Sequence, residues 1–179
     1  MDKYKSKWTR LQNDLFGFLC IRAGQSFNLR GLARHLKVSP TAVSKALIGL
    51  EKLKLIVVEK SKTMNLFDVR FNRDNHKAIE FKRVENLRLI YGSGLVDFLE
   101  ESFPGCTIVL FGSYSKGEDV VGSDVDIAVI GSKEKKIDLT SFDKLFQRSV
   151  FINFYSDWRI DGELKNNIRN GITLRGNVE

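Results

Sequence analysis

The spacing of apolar residues near the start of the chain predicts three short helices. Apolar side chains recur every three or four positions within residues 8–21, 29–36 and 40–53. Asn28 can cap the second helix, and Ser39 followed by proline is a typical start for the third. These residues therefore indicate a small helical module.

Beyond the third helix the pattern changes to short apolar runs. Residues 55–58 and 66–71 form two such runs around a polar segment, which predicts a β-hairpin. Residues 73–91 contain no proline or glycine and predict one long connecting helix. The remaining pattern predicts helices and strands in alternation, with helices at 95–103 and 137–147, strands at 107–111, 127–130 and 149–155, and a closing helix and strand within 164–176. This second half is typical of an α/β fold.

Charge is distributed unevenly between the two halves. The chain has 179 residues and a net charge of +7. Residues 1–72 carry 14 Lys and Arg against 5 Asp and Glu, a net +9, whereas residues 73–179 carry 15 against 17, a net −2. A small module with this excess of positive charge favours an anionic polymer such as nucleic acid as its partner.

The composition also indicates where the protein acts. No apolar run approaches the roughly 18–20 residues that a membrane crossing needs, so no membrane partner is expected. Cys20 and Cys106 lie far apart in apolar surroundings, which favours free thiols over a disulfide. The expected location is the cytoplasm.

The most informative chemistry lies between Gly112 and Asp126. The apolar run 107–111 ends at Gly112 and Ser113, where a missing side chain and a hydroxyl suit the approach of a phosphate. Asp124 and Asp126 flank one valine before the next apolar run, so both carboxylates project from the same side of a strand. Such a pair of hard oxygen ligands suits Mg²⁺ or Mn²⁺. The pattern predicts a site for a nucleoside triphosphate and a divalent cation.

Residues 95–176 resemble the minimal nucleotidyltransferases of the DNA polymerase beta superfamily. The signature of that family is a strand, Gly-Ser, a spacer and then Asp-x-Asp on the next strand, and the matching residues are Gly112, Ser113, Lys116, Gly117, Ser123, Asp124 and Asp126. The resemblance implies an α/β fold with a mixed sheet. It also implies transfer of a nucleoside monophosphate from a triphosphate, with ATP as the first candidate, to a hydroxyl group. Gly112, Ser113, Lys116, Gly117 and Ser123 would then bind the nucleotide.

One position departs from the family pattern. The superfamily typically places a third carboxylate on the strand that follows Asp-x-Asp, and here Asn153 best matches that position. An amide ligates a metal weakly and cannot act as a base. Asp138 and Asp157 are the alternatives if the alignment shifts by one element. The catalytic set predicted from the sequence is therefore Asp124, Asp126 and Asn153.

Two functions remain open at this stage. One is a Mg²⁺-dependent nucleotidyltransferase whose acceptor is a protein, a small molecule or RNA. The other is a DNA-binding transcriptional regulator or antitoxin-like protein whose transferase domain binds nucleotide or a partner protein, such as a toxin, without efficient catalysis. A homodimer is compatible with either function.

The front module resembles a winged helix-turn-helix domain, most closely in residues 32–47. That resemblance implies that the third helix enters the DNA major groove and that the hairpin lies near the backbone. The residues expected at DNA are Ser39, Thr41, Ser44 and Lys45 on the helix and Lys60, Lys62 and Arg70 on the hairpin. A protein-docking role for this module is the alternative.

The sequence thus predicts two domains and a connector. Residues 1–72 form the winged helix-turn-helix domain, mainly α-helical with a β-hairpin wing, and residues 73–94 form the connecting helix. Residues 95–179 form the minimal nucleotidyltransferase domain.

Overall fold

The structure, a computed structural model, describes residues 8–60, 67–160 and 162–178. It divides into two compact units, residues 1–79 and 80–179. Each unit has its own hydrophobic core and is described by itself below.

Three helices and a small sheet form the N-terminal unit. In chain order the elements are α1 (Arg10–Ile21), β1 (Ser26–Asn28), α2 (Leu29–Leu36), α3 (Pro40–Lys52), β2 (Ile56–Lys60) and β3 (Phe67–Phe71). The sheet order is β1-β3-β2, and both pairs of strands are antiparallel. The three helices and the β2–β3 hairpin are those that the apolar pattern predicted, and the winged-helix fold that the resemblance implied is confirmed.

The helix starts in this unit form through the residues expected to cap them. The side chain of Asn28 accepts a hydrogen bond from the Gly31 amide at 2.7 Å, and that of Ser39 accepts one from Ala42 at 3.1 Å. Pro40 occupies the first turn of α3, where its missing N–H costs nothing. The buried faces of the three helices then pack with Val69 and Phe71 of the sheet into one core.

β1 was not predicted. Its three residues pair with β3, with Ser26 opposite Arg70 and Asn28 opposite Asp68. A strand this short has no periodic signal of its own, because its pairing partners lie forty or more positions away in the sequence.

The C-terminal unit contains a mixed four-stranded sheet, as predicted. The first helix, α4 (His76–Gly92), begins in the N-terminal unit and continues in this one. The elements that follow are α5 (Leu95–Ser102), β4 (Thr107–Phe111), α6 (Gly112–Lys116), β5 (Val125–Ile130), α7 (Thr140–Phe146), β6 (Val150–Tyr155), α8 (Gly162–Arg169) and β7 (Ile172–Arg175). The sheet order is β6-β5-β4-β7. β4 is antiparallel to both β5 and β7, whereas β5 and β6 are parallel.

Both faces of this sheet are covered by apolar side chains. Ile108, Leu110 and Ile127 pack with residues of α5 and α7 on one face. Val109 and Ala128 pack with Ile168 of α8 on the other. The sheet is therefore a buried platform, and the polar residues at the ends of its strands are held by a rigid support.

In the part of the chain that the structure describes, no helix is both long enough and apolar enough to cross a membrane.

Candidate functional site

The centre of the site is the contact between Gly112 and the carboxylate of Asp126. β4 and β5 pair so that Phe111 lies opposite Asp126, and the chain leaves β4 at Gly112 with φ +72°. A Cβ atom at position 112 would collide with Oδ2 of Asp126 and would lie 3.3 Å from its Cγ. Glycine is therefore required here both for the backbone angle and for the space that the carboxylate fills.

Asp124 lies just before β5 and is exposed, whereas Asp126 lies within the strand and is partly buried. Burial raises the pKa of Asp126, and the charge of Asp124 raises it further. The two carboxylates are thus close enough to repel each other. Such a pair is relieved by a cation bound between them.

The strand register shows where Asn153, the third predicted catalytic residue, lies relative to Asp126. In the parallel pair β5–β6, Phe151 lies opposite Asp126, whereas Asn153 lies opposite Ala128. Asn153 projects from the same side of β6 as Phe151. It lies two residues further along the strand than Phe151, a distance of about 6.6 Å at roughly 3.3 Å per residue. The side chain beside Asp126 is thus an aromatic ring, and 53% of Phe151 is exposed.

The two alternative acids are engaged elsewhere. Asp138 accepts a hydrogen bond from the Thr140 amide at 2.9 Å, and Asp157 pairs with Arg159 at 2.6 Å. Within residues 8–60, 67–160 and 162–178, no three His, Cys, Asp or Glu side chains group as metal ligands. The described carboxylates at the site are therefore Asp124 and Asp126.

The other residues predicted to bind nucleotide lie in and after α6. Ser113 is partly buried in the first turn of this five-residue helix, Lys116 is exposed in its last turn, and Gly117 ends it with φ +78°. The hydroxyl of Ser123 accepts a hydrogen bond from the Val120 amide at 3.0 Å, so it closes the turn before Asp124.

A buried ionic cluster that the sequence pattern did not predict lies beneath that turn. Its members are Lys82 and Asn86 of α4, Asp119 of the segment between α6 and β5, and Arg148 just before β6. Charged residues in a helix or a loop normally indicate solvent exposure. The one available signal was the spacing of Lys82 and Asn86, which places them on the same helical face.

The residues predicted to contact DNA fall into two groups in the N-terminal unit. Thr41, Ser44 and Lys45 are exposed on α3, and Lys60 is exposed at the end of β2. The hydroxyl of Ser39 is used in the helix cap.

Two residues of the hairpin were also predicted to contact DNA. Arg70 makes a bidentate ion pair with Glu59 at 2.7 and 2.9 Å, so much of its charge is neutralised. Lys62 lies outside the described residues.

The same face of α3 also carries apolar surface. Ile48 is 64% exposed and Phe67 is 45% exposed. They line a small cavity of about 110 Å³ together with Leu29, Leu47 and Val58. This face therefore combines the hydroxyl and ammonium groups that suit a phosphate backbone with an apolar patch.

Comparison with known proteins gives a family match for the C-terminal unit. Residues 93–169 match the family model of the nucleotidyltransferase domain. None of the curated proteins compared with the chain matches it.

Solved structures show distant similarity. The adhesin competence repressor AdcR of Streptococcus pyogenes is 18% identical over 57% of this chain and 71% of its own, with a TM-score of 0.43. ZitR of Lactococcus lactis, a zinc-responsive member of the MarR family, is 22% identical over 56% of this chain and 67% of its own, with a TM-score of 0.42. These likenesses are too weak to transfer a ligand or a partner to this chain.

The raised pKa of Asp126 gives a prediction about stability. An acid whose pKa is higher in the folded than in the unfolded state destabilises the fold when ionised, and this cost disappears as the pH falls through the folded pKa. Asp126→Asn should therefore increase the free energy of unfolding at pH 7, and the gain should vanish in acid. The measurement is urea denaturation as a function of pH.

Asp138→Asn is the matched control, because hydrogen bonds from Thr140 lower the pKa of Asp138 and favour its ionised form. That variant should lose stability at pH 7. A loss of stability in Asp126→Asn as well would contradict the electrostatic account of the site.

Proposed function

We propose that this chain transfers a nucleoside monophosphate from a nucleoside triphosphate to a hydroxyl group of an acceptor, a proposal supported by the match of residues 93–169 to the nucleotidyltransferase domain model. ATP is the first candidate for the donor. The observation that carries the proposal is the contact between Asp126 and the Gly112 turn. It brings a carboxylate pair next to the first turn of α6.

The donor set fits a divalent cation. Asp124, just before β5, and Asp126, within it, offer carboxylate oxygens close enough to repel each other, and a bound Mg²⁺ or Mn²⁺ ion would relieve that repulsion. When bound, such an ion supplies neutralising charge to the triphosphate and to the leaving pyrophosphate. The residues that would hold it are Asp124 and Asp126.

The protein's own groups orient the nucleotide in this proposal. The missing side chain of Gly112 lets the start of α6 lie against Asp126, and Ser113 adds a hydroxyl there. The first amides of a helix have no acceptor within the helix and are available to an anion. Lys116, exposed in the same short helix, is suited to pair with a phosphate oxygen.

A second candidate function is supported by Phe151. The attacking hydroxyl must lose a proton, and an aromatic ring opposite Asp126 cannot accept one. Binding of nucleotide requires the Gly112 turn and the two carboxylates, none of which Phe151 disturbs. The second candidate is therefore a regulator that binds nucleotide through this domain and transfers it slowly or not at all.

The N-terminal unit is proposed to bind duplex DNA, mainly through phosphates. The support is the net charge of +9 on residues 1–72 together with the exposed Thr41, Ser44 and Lys45 on α3. Arg70 contributes less than the sequence suggested because Glu59 is its partner. The apolar patch of Ile48 and Phe67 is what a protein-docking role would use instead.

The first test concerns nucleotide binding. Asp124→Asn and Asp126→Asn should each weaken Mg²⁺-dependent ATP binding by about 10- to 100-fold, since a charged interaction contributes roughly 1.5–3 kcal/mol. Titration calorimetry with and without EDTA measures this, and Asp138→Asn, an exposed acid of the same unit, is the control. Equal affinity in all proteins would refute a carboxylate-dependent nucleotide site.

The second test separates the two functions through Phe151. Phe151→Asp places a carboxylate opposite Asp126, and Asn153→Asp places the same group two residues further along the strand. If Phe151 limits transfer, pyrophosphate release should rise in the first variant and not in the second. Release of pyrophosphate from ATP and labelling of offered acceptors, the chain itself included, are the measurements. Rapid transfer by the wild type would show that Phe151 is no obstacle and would remove the second candidate.

The third test concerns DNA. Affinity for a duplex, followed by fluorescence anisotropy, should fall steeply as salt rises, because bound phosphates release counterions. Lys45→Ala should weaken binding and lower the salt slope by about 1. Lys133→Ala, an exposed lysine of the other unit, should change neither. Binding that ignores salt would instead favour protein docking at the apolar patch.

A further inference from the structure

A fully buried carboxylate lies beneath the segment that joins α6 to β5. The Asp119 side chain has no exposed surface, and Oδ1 accepts hydrogen bonds from Asn86 at 2.7 Å and from the Lys82 ammonium. Nη2 of Arg148 lies 2.7 Å from Oδ2, an ion pair outside good hydrogen-bond geometry. Two cations and an amide thus converge on one acid.

Stability alone does not explain such a cluster. Removing charges from water costs several kcal/mol per ion, and apolar replacements of buried ion pairs are often as stable or more stable. The sheet of this unit already has apolar cores on both faces. A role in placing a particular piece of backbone accounts better for the charges.

That piece of backbone is the turn 120–123, which Arg148 contacts. While Nη2 faces Asp119, Nη1 donates to the carbonyl oxygen of Val120 and lies 3.4 Å from that of Ser123. The turn is also closed by its own hydrogen bonds, between the Val120 amide and the Ser123 hydroxyl at 3.0 Å and between the Ser123 amide and the Val120 carbonyl at 2.9 Å. The residue that follows this turn is Asp124.

The two carboxylates of the site depend on different supports. Asp126 is fixed by strand pairing, with Phe111 on one side and Phe151 on the other. Asp124 precedes the strand, so its position depends on the turn 120–123 that Arg148 holds.

We propose that Arg148 and Asp119 are positioning residues for the metal–nucleotide site. Asp119, held by Lys82 and Asn86, orients the guanidinium of Arg148, and the guanidinium fixes the turn that keeps Asp124 beside Asp126. This inference rests on the proposed function and deepens it. It assigns part of the affinity for a divalent cation and its nucleotide to a cluster that touches neither ligand.

The test uses Arg148→Lys in the full chain. Lysine keeps the positive charge, but its single nitrogen cannot satisfy Asp119 and the turn carbonyls in the way a planar guanidinium does. The affinity for Mn²⁺–ATP, measured by calorimetry and by electron paramagnetic resonance of Mn²⁺, should fall by about 10- to 100-fold, the usual effect of losing an outer support of a metal ligand. Amide hydrogen exchange at residues 120–124 should become faster.

The control separates positioning from general destabilisation. Leu99→Ala removes a fully buried side chain of α5 and destabilises the same unit without touching the turn. At a temperature where both variants are folded by circular dichroism, Leu99→Ala should bind Mn²⁺–ATP as the wild type does. An equal loss of affinity in both variants would overturn the proposal.

A double-mutant cycle with Asp124→Asn tests whether Arg148 acts through Asp124. If Arg148 acts through Asp124, Arg148→Lys should cause no further loss of affinity once Asp124 has been neutralised, whereas independent effects would add. If Arg148→Lys fails to fold, Ser123→Ala opens the same turn and takes its place in the cycle. Additive losses, or wild-type affinity in the folded single variant, would overturn the inference while leaving the proposed function standing. A wild type that binds neither Mn²⁺ nor ATP would refute the proposed function itself, and the inference with it.

Discussion

The antiparallel pairing of β4 with β5 is the constraint on which the candidate site depends. It sets Phe111 opposite Asp126, and Gly112, the residue that follows β4, must then pass directly beside the carboxylate. Only a residue without a Cβ atom fits there, and the positive φ of Gly112 turns the chain at once into α6. The buried sheet thus determines where the carboxylate lies, and the carboxylate determines which residue can begin the turn. The first turn of α6 and an acid are brought together by one register.

The site has an electrostatic cost that the rest of the unit offsets. Burial and the neighbouring Asp124 disfavour the ionised form of Asp126, while Asp119 and its partners are charged groups enclosed by protein. Burial of apolar side chains on both faces of the sheet supplies free energy that offsets these electrostatic costs. In the proposed function, the repulsion between the two acids that reduces stability would be relieved by a bound divalent ion.

Local signals made much of the fold predictable. Asn28, Ser39 and Pro40 start their helices through bonds to residues a few positions away, and β4 was bounded correctly by the turn residues around an apolar run. β1 and the opposition of Phe151 to Asp126 depend on pairing between distant segments, which apolar periodicity does not report. The buried Lys82 and Arg148 could not be anticipated, since burial of a cation is decided by its partner and not by its own segment.

Binding and turnover make separable demands on this domain, and Phe151 bears on only one of them. In the proposed function, a nucleotide with its cation is held by Gly112 at the start of α6, Asp124 just before β5 and Asp126 within β5. Removing a proton from an acceptor needs a further basic group, and the adjacent position on β6 carries an aromatic ring. A change at β6 can therefore abolish transfer while the binding groups stay in place. For a chain that also carries a basic winged helix, such a domain would retain the capacity to report nucleotide without consuming it.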